Sequence, residues 1–451
     1  MVSVVKFPVV VRARAGRGLL LVLAVVAAIG LANAVTFPAG LGYDARAHRA
    51  YADLLVHHGH IPSPAQSQEF HTPPGFYAVA GGAEAVAGWL GASDPWQVAR
   101  GLNVLWVLGA TVLTFLIGRE LFPRDRLLQL VAAAFAGLVP VVLKLAAMFH
   151  PETLSLFVST LALYLAVRMF ARRRFGWRSA AVLGIALGVA QLVRGFNLWL
   201  VPVVLAGFAA AGLRGSGAPR RVAATALVSI AAAAIVAGPW YVRQEVKYSN
   251  PLAFNRPAPK VPVWRRRPVS FYVGLGLPQS ISNPARPQFT NRFIPTLYSE
   301  IWGDYFGYFA WTTTASGTTP VPLDSERQKE LEAQNVLGLV PTILAIGGVL
   351  ALLRRALRPR PDAARLVVAL LPIVGFLGFL LFTVTYPSGD GDVIKAGYML
   401  TTVPGWAIGF GYAWSRLASS RLAFRVAAAA CGLALLSDLV FLLHRGPLGP
   451  L

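Results

Sequence analysis

Eleven apolar runs, each close to the length of a bilayer crossing, divide this chain. They lie near 18–36, 98–118, 127–147, 152–171, 179–194, 196–213, 222–242, 335–353, 366–385, 396–415 and 422–443. About 20 consecutive apolar residues span the hydrocarbon core as a helix. Lipid offers no hydrogen bonds, so each crossing must satisfy its own backbone groups. The pattern therefore predicts an all-α polytopic membrane protein. Composition agrees: 56% of the 451 residues are hydrophobic and 13% are charged, against about 25% charged in soluble domains. The single cysteine, Cys431, lies inside the last run. That excludes a disulfide framework and a cysteine metal site.

The net charge of +22 invites a nucleic-acid reading, but the placement of the charge argues against it. Basic residues sit in short clusters between apolar runs, as in cytoplasmic loops. With the N-terminus inside, 23 of the 41 Lys and Arg fall inside, beside only Glu120, Asp125 and Asp362. This holds if the weaker run 75–91, which contains Glu84 and five glycines, does not cross. That run is then an outer juxtamembrane helix. "LANA" at 31–34 has the look of a signal-cleavage site, but with further crossings after it an uncleaved anchor is the better reading.

The resulting organisation has three parts. Residues 1–242 form a transmembrane module with a first outer loop at 37–97. Residues 243–334 form a large outer loop, and 335–451 add C-terminal transmembrane helices. The large loop holds nine prolines between 251 and 295, so much of it is irregular. It ends in a helix start with Asp324 or Ser325 as N-cap.

The outer segments carry the chemistry. "YDARAHRAYADLLVHHGHIPSPAQSQEFHTPPGFY" at 43–77 holds three carboxylates and five of the seven histidines. On a helix Asp44, His48 and Tyr51 share one face. Such a pair serves as a general base with a partner, or as two metal ligands. Equally, Asp44 suits an ordinary helix N-terminus. His71 is held before a helix by Pro73 and Pro74, and Pro151 places His150 and Glu152 likewise. Lys144 lies inside an apolar run, where an ionisable group is a functional candidate. Arg194 and Lys395 sit at outer helix ends, where snorkelling to the interface is the plain alternative. In "TLYSEIWGDYFGYF" at 296–309, Trp302, Asp304 and Tyr305 suit a sugar, or equally an interfacial aromatic belt. Asp44, His48, His150 and Glu152 also form a candidate divalent metal set, although no cofactor is required by these residues.

"YDARAH…HTPPGFY", "HPE", "WGDYFGYF" and "KAGYML" occur here in the order found in the GT-C membrane glycosyltransferases. The chain resembles bacterial relatives of dolichyl-phosphate-mannose protein mannosyltransferases and aminoarabinose lipid A transferases over about residues 18–415. The resemblance implies a GT-C-like bundle and a polyprenyl-phosphate sugar donor on the outer face of the plasma membrane. It implies a protein, lipid or glycan acceptor and inverting transfer. Asp44 matches the catalytic Asp as general base, although Ala45 stands where a Glu usually follows. Glu152 matches a second acidic position. His71-x-Pro-Pro resembles a His-Pro-Pro element. Lys395 and Tyr398 match a cation and tyrosine facing the lipid phosphate, with Arg194 as a second cation, and Arg243 matches a weaker position. The alternative is a transporter or flippase for a lipid-linked anion. It needs polar residues along the spans, and those at 222–242 and 396–415 are nearly free of charge.

Overall fold

The computed structural model describes residues 9–38, 40–213, 218–255, 258–262, 265–284, 292–309, 325–359, 361–387 and 393–442. These are helical and contain no strand. Eight helices are long and apolar enough to cross a membrane, or nine if the bent pair Arg126–Leu138 and Pro140–Ala146 is one span. The two remaining expected crossings form shorter pieces. One is Trp177–Val193; the other is a 3-10 turn, Ala396–Thr402, running into Val403–Leu417. The expected helix at 75–91 forms as Gly75–Trp89. At 1.5 Å per residue it is about 22 Å long, short of the ~30 Å core. Of the two N-cap candidates before Ser325–Leu337, Asp324 lies outside the described residues.

Glu152–Ala171 is the most buried of the eight and runs through the centre of the bundle. Breaks at its rim build the functional end. Pro140 begins a second half-helix at a 48° bend, because proline cannot continue the preceding hydrogen-bond ladder. That half-helix carries Lys144 inward. Arg100, buried near the start of Pro95–Leu121, donates to the carbonyls of Ala34, Phe37 and Ala147. These carbonyls belong to helix ends and turns, where intrahelical partners are missing. One guanidinium thus ties the end of the first span to the turn before Glu152.

Two glycines permit close approach at this end. A Cβ on Gly75 would lie 2.6 Å from the Leu192 carbonyl oxygen, and one on Gly397 would lie 2.8 Å from Leu145 and 3.5 Å from Glu152. The first lets the His71 turn sit against the end of Trp177–Val193, beside Arg194. The second lets the 3-10 turn carrying Tyr398 pack on Glu152.

Candidate active site

Asp44 occupies the N-cap position of the helix Ala45–His57, but its side chain makes no capping bond. One carboxylate oxygen accepts from Lys395 Nζ at 2.6 Å and the other from Gln68 Nε2 at 2.8 Å. The plain helix-cap reading of Asp44 therefore fails on geometry. Its backbone is left-handed, φ 51 and ψ 20, a conformation that costs a non-glycine residue about 1–3 kcal/mol and clusters at functional sites. Burial opposes the charge on Asp44, but the ammonium of Lys395 outweighs it and holds the carboxyl at about 2.

The residue before it anchors this arrangement. Tyr43 is buried and donates to Glu300 Oε2 at 2.5 Å. Its ring faces Lys395 Nζ at 5.2 Å and Lys144 Nζ at 5.8 Å. Glu300 in turn accepts from Lys144 Nζ at 2.7 Å, with Asp304 at 3.8 Å from the same ammonium. All three side chains are essentially excluded from solvent.

His48 and His150 are buried. Burial pushes His48 and His150 well below the ordinary range, with the Arg194 and Lys395 charges acting in the same direction. His48 pairs through Nδ1 with Tyr77 Oη at 2.8 Å rather than with the Asp44 carboxylate. Its ring meets that of His150 edge-on at 4.7 Å. His48 Nε2 and His150 Nδ1 have no protein partner, which is unusual for buried polar atoms. Glu69, absent from the sequence reading, lies 3.8 Å from His48 Nδ1 and is buried. Burial and then the Asp44 charge push its carboxyl up to about 7.

Arg194 and Glu152 form a buried pair, Nε to Oε1 at 2.7 Å, and Glu152 Oε2 has no protein partner. The guanidinium lies 5.1 Å from the Tyr398 ring. Arg194 and Tyr398 head a largely apolar cavity of about 450 Å³ that also takes in His71, Phe196, Phe254 and Phe382. Burial and then the Arg194 charge depress His71 to about 3, and its Nδ1 bonds the Gln68 carbonyl at 3.0 Å. A second cavity, about 550 Å³ and polar, is lined by Asp44, Arg46, Gln66, Gln68 and Tyr308. Asp44 faces the polar cavity, and its partner Lys395 stands just before the turn whose Tyr398 lines the apolar one.

Asp44, His48, His71, His150, Glu152, Arg194, Lys395 and Tyr398 thus converge. Arg243 stands nearby, its guanidinium 5.4 Å from the Trp240 ring that lines the apolar cavity. Trp302, Asp304 and Tyr305 do not line either cavity. Trp302 is buried and donates to Thr342 at 2.9 Å. Asp304 accepts the backbone N–H groups of Tyr308 and Phe309, and Tyr305 is buried against Phe306. They hold the outer-loop segment in place. Among the described residues no group of three or more His, Cys, Asp or Glu is arranged to hold a metal ion. Of the four candidate ligands, Asp44 bonds Lys395, His48 bonds Tyr77 and Glu152 bonds Arg194.

The family model of dolichyl-phosphate-mannose-protein mannosyltransferases matches residues 72–241. No curated protein matches the chain. Among solved structures the chain is similar to the oligosaccharyltransferase of Archaeoglobus fulgidus in complex with zinc and sulfate. Identity is 14% and the TM-score 0.55, over 95% of this chain and 54% of that one. It is similar to the same organism's oligosaccharyltransferase AglB in complex with an inhibitory peptide and a dolichol-phosphate. There identity is 13% and the TM-score 0.55, over 96% and 56%. The arabinofuranosyltransferase AftD from Mycobacteria follows at 16% identity and TM-score 0.51, over 96% and 28%. The chain spans about half the length of these oligosaccharyltransferases, and at such identities the likeness is one of fold. The fold is that of these GT-C-type membrane glycosyltransferases, and the mannosyltransferase family model matches the part of the chain from 72 to 241.

Proposed function

We propose that this protein transfers a sugar from a polyprenyl-phosphate donor to an acceptor hydroxyl, with inversion, on the outer face of the plasma membrane. The observation that carries the reading is the Asp44–Lys395 ion pair, at 2.6 Å, between a polar and an apolar cavity. The apolar cavity suits prenyl units. Arg194 and Tyr398 at its head, with Lys395 three residues before Tyr398, suit a phosphate, since charge-assisted hydrogen bonds are about twice as strong as neutral ones. The polar cavity suits the acceptor. A complex of the similar archaeal enzyme with a dolichol-phosphate supports this donor class.

The chemistry follows from the pair. Asp44 takes the acceptor proton as the acceptor oxygen attacks the anomeric carbon. The bond from that carbon to the phosphate oxygen breaks, and its electrons leave with the lipid phosphate. Lys395 and Arg194 stabilise the charge that develops there, most strongly in a water-poor site. Without donor, Lys395 keeps Asp44 a weak base. An arriving phosphate competes for the same ammonium and so frees Asp44 to accept a proton. Donor binding and base activation become one event.

Two experiments test this. Lys395→Gln is expected to weaken binding of the polyprenyl-phosphate sugar about ten- to a hundredfold, the worth of a hydrogen bond to a charged group. It should leave the fold intact, because the Lys395 side chain is partly open to solvent. Arg194→Gln should lose affinity too, and also stability, because Glu152 is left buried without its cation. Donor affinity in nanodiscs for both variants decides; unchanged values in both would remove the phosphate clamp. The sidedness is tested by cysteine labelling of intact cells. A cysteine at Ser325 should react with a membrane-impermeant thiol reagent and one at Arg173 should not; the reverse pattern would put the site on the inner face.

A further inference from the structure

At the end of the bundle opposite Asp44, three arginines line one cavity. Helix Glu152–Ala171 carries the chain away from the site for 20 residues, about 30 Å at 1.5 Å per residue. Beyond it a cavity of about 490 Å³ is lined by Arg173, Arg174, Ser179 and Arg221, from the ends of three helices. None of these three guanidinium groups makes an ion pair with a described carboxylate. The nearby Glu120 is held by Arg172, at 2.5 and 3.0 Å.

The placement of charges inside explains why arginines occur at this end. It does not explain their convergence, nor the backbone of Arg173. That residue has φ 52, and the next amide, of Arg174, closes back on the Met169 carbonyl at 3.0 Å. This is a helix C-terminus whose left-handed position favours glycine. An arginine stands there and faces the cavity.

The depth of the cavity is marked by Trp177, the first residue of the adjacent helix, which is 69% exposed and lies under the Arg178 guanidinium at 5.2 Å. Exposed tryptophan with basic neighbours is typical of the head-group level of a bilayer. Deeper along the two helices that flank the cavity, Val182, Ile185 and Leu227 are exposed apolar side chains, a surface for acyl chains.

We infer that this cavity binds the phosphate head group of an anionic phospholipid. Several converging unpaired cations between transmembrane helices, at head-group depth, are the chemistry that holds such a lipid. The inference is independent of the sugar-transfer reading, since it uses no residue of the Asp44 site.

The test uses the full chain in mild detergent, titrated with phosphatidylglycerol, phosphatidylcholine or inorganic phosphate and read by native mass spectrometry. One tight phosphatidylglycerol adduct is expected. It should resist inorganic phosphate at equal concentration and be at least about tenfold tighter than any phosphatidylcholine adduct. In R173G/R174Q/R221Q the phosphatidylglycerol affinity should fall about tenfold or more, with sugar transfer unchanged. R173G alone separates binding from folding. It should weaken the adduct while holding or raising the melting temperature, because glycine relieves the left-handed position. Equal phosphatidylglycerol binding by parent and triple variant would overturn the site. Equal binding of phosphatidylcholine, or displacement by inorganic phosphate, would overturn the anionic-lipid assignment.

Discussion

Asp44→Asn is expected to lower the rate of sugar transfer about a hundred- to ten-thousandfold, the usual loss when a general base is removed. Asparagine tolerates the left-handed backbone better than most residues, so φ 51 at this position is kept. Its amide oxygen can still accept from Gln68 or Lys395, but it cannot take a proton at neutral pH. Donor binding should not fall with the rate. In the parent protein the Asp44 carboxylate competes with a donor phosphate for the Lys395 ammonium at 2.6 Å. Removing that charge leaves Lys395 to the phosphate, so Asp44→Asn should bind donor as tightly as the parent or more tightly. The pair of readouts is diagnostic. A helix cap would give neither effect, and a misfolded variant would lose both binding and rate. Normal turnover in Asp44→Asn would remove Asp44 from the chemistry.

The second large effect lies away from the reacting atoms. Lys144→Met should destabilise the protein by about 3–5 kcal/mol, the cost of stranding buried charge. Lys144 Nζ bonds the Glu300 carboxylate at 2.7 Å, the Glu300 carbonyl at 3.1 Å and the Gly303 carbonyl at 2.9 Å. Two carboxylates, Glu300 and Asp304, would lose their cation in a place where neither reaches water. Protonation of one would relieve part of the cost. Glu300→Gln in the Lys144→Met background should therefore recover stability. Because Glu300 also accepts from Tyr43, the residue before Asp44, the single variant should lose turnover at temperatures where it remains folded. The melting temperature of both variants in detergent checks this; an unchanged value for Lys144→Met would show that the cluster does not support the site.

The apolar runs were legible because a bilayer demands length and hydropathy from each crossing separately. Where a segment leans on its neighbours, the reading weakens. Trp177–Val193 and Val403–Leu417 have 17 and 15 residues, and neither is among the eight or nine candidate spans of the described residues. The positions of Asp44 and of the two proline-led turns were legible, since proline at a first helical turn fixes where the chain enters a helix. The actual partners of Asp44 were not. Gln68 lies 24 residues away and Lys395 351 residues away, and no local spacing encodes that meeting. Glu69 was passed over although it sits two residues before His71, because nothing in "SQEFH" shows that it is buried. The packing of Trp302, Asp304 and Tyr305 away from the two cavities was hidden for the converse reason. Aromatic and acidic residues in an outer loop look the same whether they meet a sugar or, as Asp304 does, a buried lysine 160 residues earlier.

The most direct measurement incubates the purified protein with acceptor-containing membranes and one of two radiolabelled donors, a polyprenyl-phosphate sugar or the matching nucleotide sugar. Label should pass to acceptor from the lipid-phosphate donor, releasing one polyprenyl phosphate per sugar, with none from the nucleotide donor and none in Asp44→Asn. Transfer from the nucleotide sugar with none from the lipid-linked donor would contradict the assignment of the apolar cavity, Arg194 and Lys395 to a lipid phosphate.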